Sequence, residues 1–319
     1  MIHLEAILPD TVNGQRMDLA LSTVFSEYSR ARIKSWILAG QVLVDGRVPG
    51  VRDPAVAGAM VVCEVPELAV ETVQPQAIPL NVVFEDEQII VINKPAALVM
   101  HPAAGNPDGT VQNALLHHFP ELDQIPRSGI VHRLDKDTTG LFVVARTLTA
   151  HHSLVEQLQS RTMGRQYCAI VNGALVAGGT VEEPIGRHAQ DRKRMAVRDD
   201  GKPATTHYRI RERFERHTAL NVNLETGRTH QIRVHLAHRA HPLVGDSVYG
   251  LRARIPKRTE AGLQHDESLA AQSRIAAFKR QALHAQVLRL QHPSSQQALS
   301  WEAALPDDME QLLADLRVL

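Results

Sequence analysis

Cysteine is nearly absent from this chain: Cys63 and Cys168 are the only two in 319 residues, they lie far apart, and no CxxC pair exists. Such usage implies neither a disulfide framework nor a thiolate metal site. Long apolar runs are also missing, none approaching the roughly 18 residues that a membrane-spanning helix needs. The segment Met1 to Asp10 carries acids and a proline where a secretory signal needs a basic flank and an apolar core. These absences lead to the expectation of a cytoplasmic protein. The histidines, 17 in all, stand in no HExxH or Cys/His spacing, so no metal is expected. Net charge is lacking too, with 35 Lys and Arg against 35 Asp and Glu. A zero sum argues against a uniformly basic nucleic-acid binder, because phosphate neutralisation draws on excess cations. The sum hides a segregation, however. Between Arg187 and Arg216 there are 10 cations against 5 acids, whereas the tail from Glu302 is acidic.

What is present reads as a small unit followed by a large one. From about Gln15 to Val65, a helical pattern over Arg16 to Phe25 precedes a second helix from Arg30 to Ala39, with Ser29 as its N-cap and Gly40 closing it. Ile33, Trp36 and Ile37 form the buried stripe of that second helix, leaving Arg30 and Lys34 on its outer surface. Val42 to Val44, Asp45-Gly46 and Arg47-Val48 then read as a tight hairpin. Residues 1–65 are thus expected to form one small domain. Pro66, Pro75 and Pro79 punctuate an expected linker over 66–80. The remainder, 81–319, is expected to be the larger domain. It has a strand pair at Val82 to Phe84 and Ile89 to Ile92, a helix marked by Ala150, Leu154, Val155 and Leu158, and strands at Tyr167 to Val171 and Leu220 to Leu224. The mixture is α+β rather than a regular βαβ alternation, without an internal repeat and with a polar insertion from Leu251 to Arg280.

The most informative stretch is His132-Arg133-Leu134-Asp135-Lys136-Asp137-Thr138-Thr139-Gly140, followed by the apolar, β-branched run Leu141 to Ala145. That run reads as a buried strand, so Asp135 sits on a loop entering a sheet, where catalytic groups are commonly presented. Asp137 gives the appearance of a second carboxylate, as a glycosidase would use.

The string resembles the signature of the RNA pseudouridine synthases of the large-subunit ribosomal type. Further segments match in order: Asn93-Lys94-Pro95 with His101-Pro102 and Gly105 to Thr110, Arg165-Gln166-Tyr167 with Ala169 to Val171, Glu225 to Arg233, and Gln281 to Ala285. Thr139 departs from the Ser that many members carry, and keeps the hydroxyl. The amino-terminal unit is similar to the S4 RNA-binding domain, in which the capped basic helix and hairpin contact RNA. The resemblance implies a catalytic fold with a mixed, largely antiparallel sheet, preceded by a small α/β S4-type domain. It implies Asp135 as the single essential carboxylate, which removes the glycosidase role from Asp137. Tyr167 is implied as the aromatic that packs on uracil and assists loss of the C5 proton, and Arg228 as the guanidinium that pairs with Asp135. Arg133 is expected to help keep the target base out of its stack, and Arg30, Arg32 and Lys34 to bind RNA.

The implied partner is ribosomal RNA or a large ribosomal subunit precursor, with uridines of the 23S RNA helix 69 stem-loop as target. No cofactor is implied. Alternatives are another ribosomal or transfer-RNA uridine, or a non-catalytic assembly factor that keeps the fold. The reaction breaks the ribose C1′ to uracil N1 bond, turns the base, joins C1′ to C5 and removes the C5 proton. An ionised carboxylate suits the first step either as nucleophile at C1′ or as base towards a ribose proton. A cation must then offset its desolvation.

Overall fold

The computed structural model describes residues 2–26, 28, 30–65, 73–103, 105–191, 193–250 and 266–319, and the chain divides into two compact units, Met1–Thr72 and Val73–Leu319. The expected N-cap at Ser29 lies outside the described residues, as do residues 66–72 of the expected linker and 251–265 of the expected insertion.

In the first unit, β1 (Ile2–Ile7), β2 (Val42–Val44) and β3 (Met60–Val65) form an antiparallel sheet in the order β1-β3-β2. Along β3 the inward residues Val61, Cys63 and Val65 alternate with more exposed ones, the period of a sheet with one buried face. Helices α1 (Met17–Val24) and α2 (Arg30–Leu38) complete the unit, with Leu21, Ile33, Trp36 and Ile37 buried as the helical spacing requires. Gly40 leaves α2 at φ +72°, the left-handed cap that glycine adopts without strain. The turn at Asp45-Gly46 has φ of 47° and 75°, the two positive values of a type I′ hairpin turn. Val44 and Arg47 bridge across it, but β2 takes its long partner from β3, not from residues 47–48.

Arg30 departs from the expected solvated face. Its Nε–H donates to Asp18 Oδ2 at 2.9 Å, and Arg16 clamps the same carboxylate. Asp18 is buried in α1; burial pushes its pKa up and the two guanidinium groups more than reverse this, holding it below the usual carboxylate range.

The second unit is built on a nine-stranded sheet. Its strands and helices, in chain order, are β4 (Val82–Glu85), β5 (Ile89–Lys94), α3 (Val111–His118), β6 (Thr139–Ala145), α4 (Leu148–Gln159), β7 (Gly164–Asn172) and β8 (Gly179–Glu182). A short side ribbon, β9 (Ile185–Arg187) and β10 (Met195–Val197), precedes β11 (Thr205–Arg213), β12 (His217–Leu224), α5 (Gln231–His238), α6 (Asp266–Ala276), β13 (Leu283–Gln291), β14 (Ala298–Glu302) and α7 (Asp307–Val318). The order across the sheet is β4-β5-β6-β13-β7-β12-β11-β8, with β14 beside the far half of β13. Only β6 and β13 run parallel; the other pairs are antiparallel, giving the mixed, largely antiparallel sheet.

The central strands are buried on both faces, which is why they read as unbroken apolar runs. Phe142 and Val144 of β6 join Tyr167 and Ala169 of β7 under α3 and α5, while Leu141, Val143 and Ala145 pack against α4. Cys168 and Ile170 face the opposite way, against Met309, Leu312 and Leu316 of α7. The expected linker extends too far. Val73 and Leu80 pack on this core, Gln76 N–H donates to Asn113 C=O of α3, and the Asn113 side-chain amide donates to Gln74 C=O, so 73–80 belong to the second unit.

Where β6 meets β13, Gly140 has φ +111°, and an added Cβ would collide with the backbone nitrogen, carbonyl carbon and oxygen of Ala285. Gly140→Ala is expected to cost about 3 kcal/mol through strain and overpacking. Gly109→Ala, at φ +67° with open space around it, should cost about 1 kcal/mol. Denaturant midpoints of the two variants test this, and equal costs would show that the close approach at Ala285 does not constrain the fold.

Candidate active site

Asp135 stands on the loop that feeds β6. The loop is closed by a turn in which Thr138 N–H donates to Asp135 C=O at 3.1 Å. His132 anchors its start, its Nε2 accepting from Val143 N–H at 3.1 Å, and burial drives that imidazole down to about 3, so it is neutral and carries its proton on Nδ1. Leu134 is buried beneath the loop, and Gln281 donates to Thr138 Oγ1 at 3.1 Å beyond it. The carboxylate is left 16% exposed, facing a cavity of about 780 Å³.

Its partner is Arg233 in α5. Arg233 Nη1 donates to Asp135 Oδ2 at 3.0 Å, while Nε and Nη2 make a two-pronged contact with Asp246 at 2.7 and 2.8 Å. Asp246 is fully buried and also accepts from the backbone N–H of Val248 and Tyr249. The guanidinium, 6% exposed, is thus bound between two carboxylates, and they raise its pKa despite burial. Tyr249 lies under it, 5.1 Å from guanidinium carbon to ring centroid. The Tyr249 oxygen accepts from Met195 N–H at 2.8 Å and shares a hydrogen bond with His230 Nδ1, also at 2.8 Å. Nε2 of the same imidazole faces Asp135 Oδ1 at 3.9 Å.

The expected partnership of Arg228 with Asp135 is corrected here. Arg228 lines the same cavity, but its Nε–H donates to Pro203 C=O at 3.0 Å. The loop from Thr226 to His230 is folded around Gln231 Oε1, which accepts from Thr226 Oγ1 and from Arg228 N–H, and this leaves Arg228 before the helix. Arg233 is on the buried side of α5, from which one fork reaches both carboxylates. Both arginines belong to the same sequence segment, and helical burial is the signal that separates them.

Tyr167 is where the sequence places it, on β7 with its ring in the cavity wall. Burial raises its phenol pKa, so it is neutral at ordinary pH. Arg133 is exposed and lines the same cavity as Asp135. Asp137 does not; it lines a separate cavity with Arg274, Arg280 and Asp308. Arg127, Arg161 and Arg165 add three more guanidinium groups to the Asp135 cavity. Among the described residues no group of three or more His, Cys, Asp or Glu side chains is gathered to hold a metal, and no helix is long and apolar enough to cross a membrane.

A carboxylate fixed by a guanidinium, a buried tyrosine and a cationic rim are suited to a polyanionic substrate whose reacting ring enters the wall. The RNA pseudouridylate synthase family model matches residues 88–238, spanning β5 to α5 and all of these groups except Asp246 and Tyr249. The chain belongs to that family and is an RNA pseudouridine synthase. Ribosomal large subunit pseudouridine synthase D of Escherichia coli K12 is 53% identical over 99% of this chain and 95% of its own length. The protein of that name from Xanthomonas campestris is 51% identical over 98% and 92%, and that from Pseudomonas aeruginosa 51% over 99% and 97%. Among solved structures, human RNA pseudouridylate synthase domain containing 4 has the same fold, with a TM-score of 0.56 at 24% identity over 74% of this chain and 93% of its own.

Lys94, of the Asn93-Lys94-Pro95 segment, received no site role from the sequence and is 1% exposed. Its ammonium donates to the carbonyls of Pro95, Leu98 and Lys136 at 2.7, 3.0 and 2.8 Å, tying the end of β5 to the Asp135 loop. Burial pulls its pKa from 10.5 to about 7, and Asp137 and Asp135 push the other way. The unfolded chain therefore binds more protons here between pH 7 and 10.5, so this group makes stability rise with pH across that window. Relative to Lys94→Met, the wild type is expected to gain about 2 to 3 kcal/mol in unfolding free energy from pH 7 to 9. Parallel profiles for the two proteins would contradict the assignment.

Proposed function

We propose that this enzyme isomerises uridines of large-subunit ribosomal RNA, within the helix 69 stem-loop of the 23S RNA, and that Asp135 is its essential carboxylate. The observation that carries the role of Asp135 is its ion pair with Arg233, itself held by the fully buried Asp246, at the wall of a cavity rich in guanidinium groups. Breaking the C1′ to N1 bond requires an ionised carboxylate held in one orientation, and a charge-assisted contact supplies both. The choice of large-subunit ribosomal RNA rests on the names of relatives that are 51% to 54% identical over nearly the whole chain, and helix 69 on the family resemblance alone. Such a substrate places the enzyme in the cytoplasm.

The target base must be turned out of its stack, at a cost of a few kcal/mol that is least in a loop. Arg133 enters the gap or holds a neighbouring phosphate, Tyr167 packs on the uracil, and Arg228 binds the RNA backbone at the rim rather than Asp135. Arg233 takes over the positioning of Asp135. No cofactor enters the scheme.

Release of C5 tritium from labelled 23S RNA tests this reading. Asp135→Asn is expected to abolish release, and Arg233→Met to lower it by at least 100-fold while also costing about 3 kcal/mol of stability, since it strands two carboxylates. A wild type that releases no tritium from this RNA, or an Asp135→Asn variant with full activity, would overturn the proposal.

The first unit serves as the S4-type RNA-binding module, with Arg32 and Lys34 of α2 directed at the phosphate backbone. Arg30 contributes less, because Asp18 already occupies its guanidinium. Arg32→Gln with Lys34→Gln is expected to weaken RNA binding and to reduce its logarithmic salt slope by about 2. Filter binding across a salt series measures both. An unchanged slope would remove the helix from the interface.

A further inference from the structure

Arg165 is a buried cation without a counter-charge. It is 8% exposed, no carboxylate pairs with it among the described residues, and its Nε–H has no hydrogen-bond partner there. Among the described residues its hydrogen bond is a long one, from Nη2 to Glu225 C=O at 3.4 Å. Burying a guanidinium unpaired costs several kcal/mol, so a merely structural buried Arg would be joined to an acid, as Arg233 is. The surroundings make room for it nevertheless. A Cβ on Gly227 would stand 2.7 Å from Nη1, so glycine at that position leaves space for the guanidinium.

Its location indicates what it serves. Arg165 and Tyr167 are two apart on β7 and so share one face, and both line the Asp135 cavity. The exposed cations of that cavity that no carboxylate occupies among the described residues, Arg127 and Arg133, are placed for phosphates. Arg165 is instead in the wall beside the tyrosine ring.

On the reading of the site given above, we infer that Arg165 is a catalytic residue that stabilises the detached uracil as an anion. When the C1′ to N1 bond breaks, its electron pair leaves with the base and spreads over N1 and the ring carbonyl oxygens. Asp135 takes C1′ or a ribose proton and the base turns; as C1′ bonds to C5 the Asp135–C1′ bond breaks, or the proton returns to the ribose, and then the C5 proton departs and N1 acquires one. The composition of the nucleotide is unchanged and no oxidant is needed. Throughout the interval between cleavage and rejoining, the base is a buried anion. A guanidinium with an unpartnered Nε–H and only a long contact at Nη2 among the described residues is matched to it, in the manner of an oxyanion hole prepared before charge develops.

The test compares full-length wild type, Arg165→Met and Arg165→Lys in single turnover. The substrates are two otherwise identical 23S helix 69 RNA hairpins, one carrying uridine and one carrying 5-fluorouridine, and loss of the parent nucleoside is the readout. At saturating RNA, Arg165→Met should be slower by about 10² to 10³ on uridine, the range for removing one oxyanion donor, with Arg165→Lys between it and wild type. Fluorine stabilises the uracil anion by itself, so the deficit should shrink at least 10-fold on the 5-fluorouridine hairpin, an effect that misfolding or misplacement does not produce. RNA affinity and its salt slope should stay at wild-type values. A deficit of the same size on both hairpins refutes leaving-group stabilisation. A lower salt slope with an unchanged saturated rate would make Arg165 a phosphate ligand. If Arg165→Met does not fold, the Arg165→Lys comparison decides in the same way. Failure of the wild type to convert either hairpin would count against the proposed RNA target, not against Arg165.

Discussion

The site depends on one guanidinium. Arg233 spends two nitrogens on Asp246 and one on Asp135, so the reactive carboxylate is oriented by a group that is itself immobilised from behind. Asp246 is fully buried and is tolerable there only because Arg233 and two backbone N–H groups surround it. Removing Arg233 leaves two carboxylates uncompensated, and removing Asp246 frees the guanidinium that orients Asp135, which couples stability to catalysis. Three separate segments meet here: the loop before β6, the inner face of α5, and the turn at Asp246. The sheet that holds them apart at the right spacing is the reason a large fold serves so small a site.

The second constraint is electrostatic. The chain as a whole is neutral, yet one cavity gathers Arg127, Arg133, Arg161, Arg165, Arg228 and Arg233 around a single reactive carboxylate. Arg161 is paired with Glu225, and Arg233 with its two carboxylates; the others are left to the substrate or to backbone carbonyls. Net charge therefore says little about RNA binding in this protein. What matters is which cations are already neutralised by the fold, and Arg30 in the first unit illustrates the same point. Read as a surface cation of an amphipathic helix, it is half consumed by a buried aspartate one helix away.

Much of the fold was legible, for identifiable reasons. β5, β6 and β7 are runs buried on both faces, β12 keeps Leu220 and Val222 buried beside polar neighbours, and α4 carries the 3.6-residue period of a helix covering a sheet. β1 escaped because its alternating half-buried residues resemble an ordinary polar terminus, and the register of β13 against both β6 and β7 depends on contacts between residues more than a hundred positions apart. At the site, the loop of Asp135 and the strand of Tyr167 were legible locally, while the roles of both residues came from the family resemblance. The pairing of Asp135 was not legible. Arg228 and Arg233 stand five positions apart in the same segment, and only the start of α5 at Gln231 turns one outward and the other inward. Asp246 and Tyr249 follow a loop beyond that helix, and no local pattern marks them.

Lys94 and Arg165 show two ways of managing a cation without water. Lys94 is surrounded by three carbonyl oxygens and fixes the backbone at Lys136, next to the reactive aspartate; its donors are all engaged, so it has nothing to offer a substrate. Arg165 keeps an unpartnered Nε–H and a long contact to one carbonyl, at similar burial. The difference divides the two by role. A fully satisfied buried ion contributes rigidity, whereas an under-satisfied one holds interaction energy that only an incoming anion realises. In a reaction whose base is an anion only between bond breaking and bond making, that energy is released at the stage where the barrier lies. It does not tighten the binding of neutral uridine beforehand.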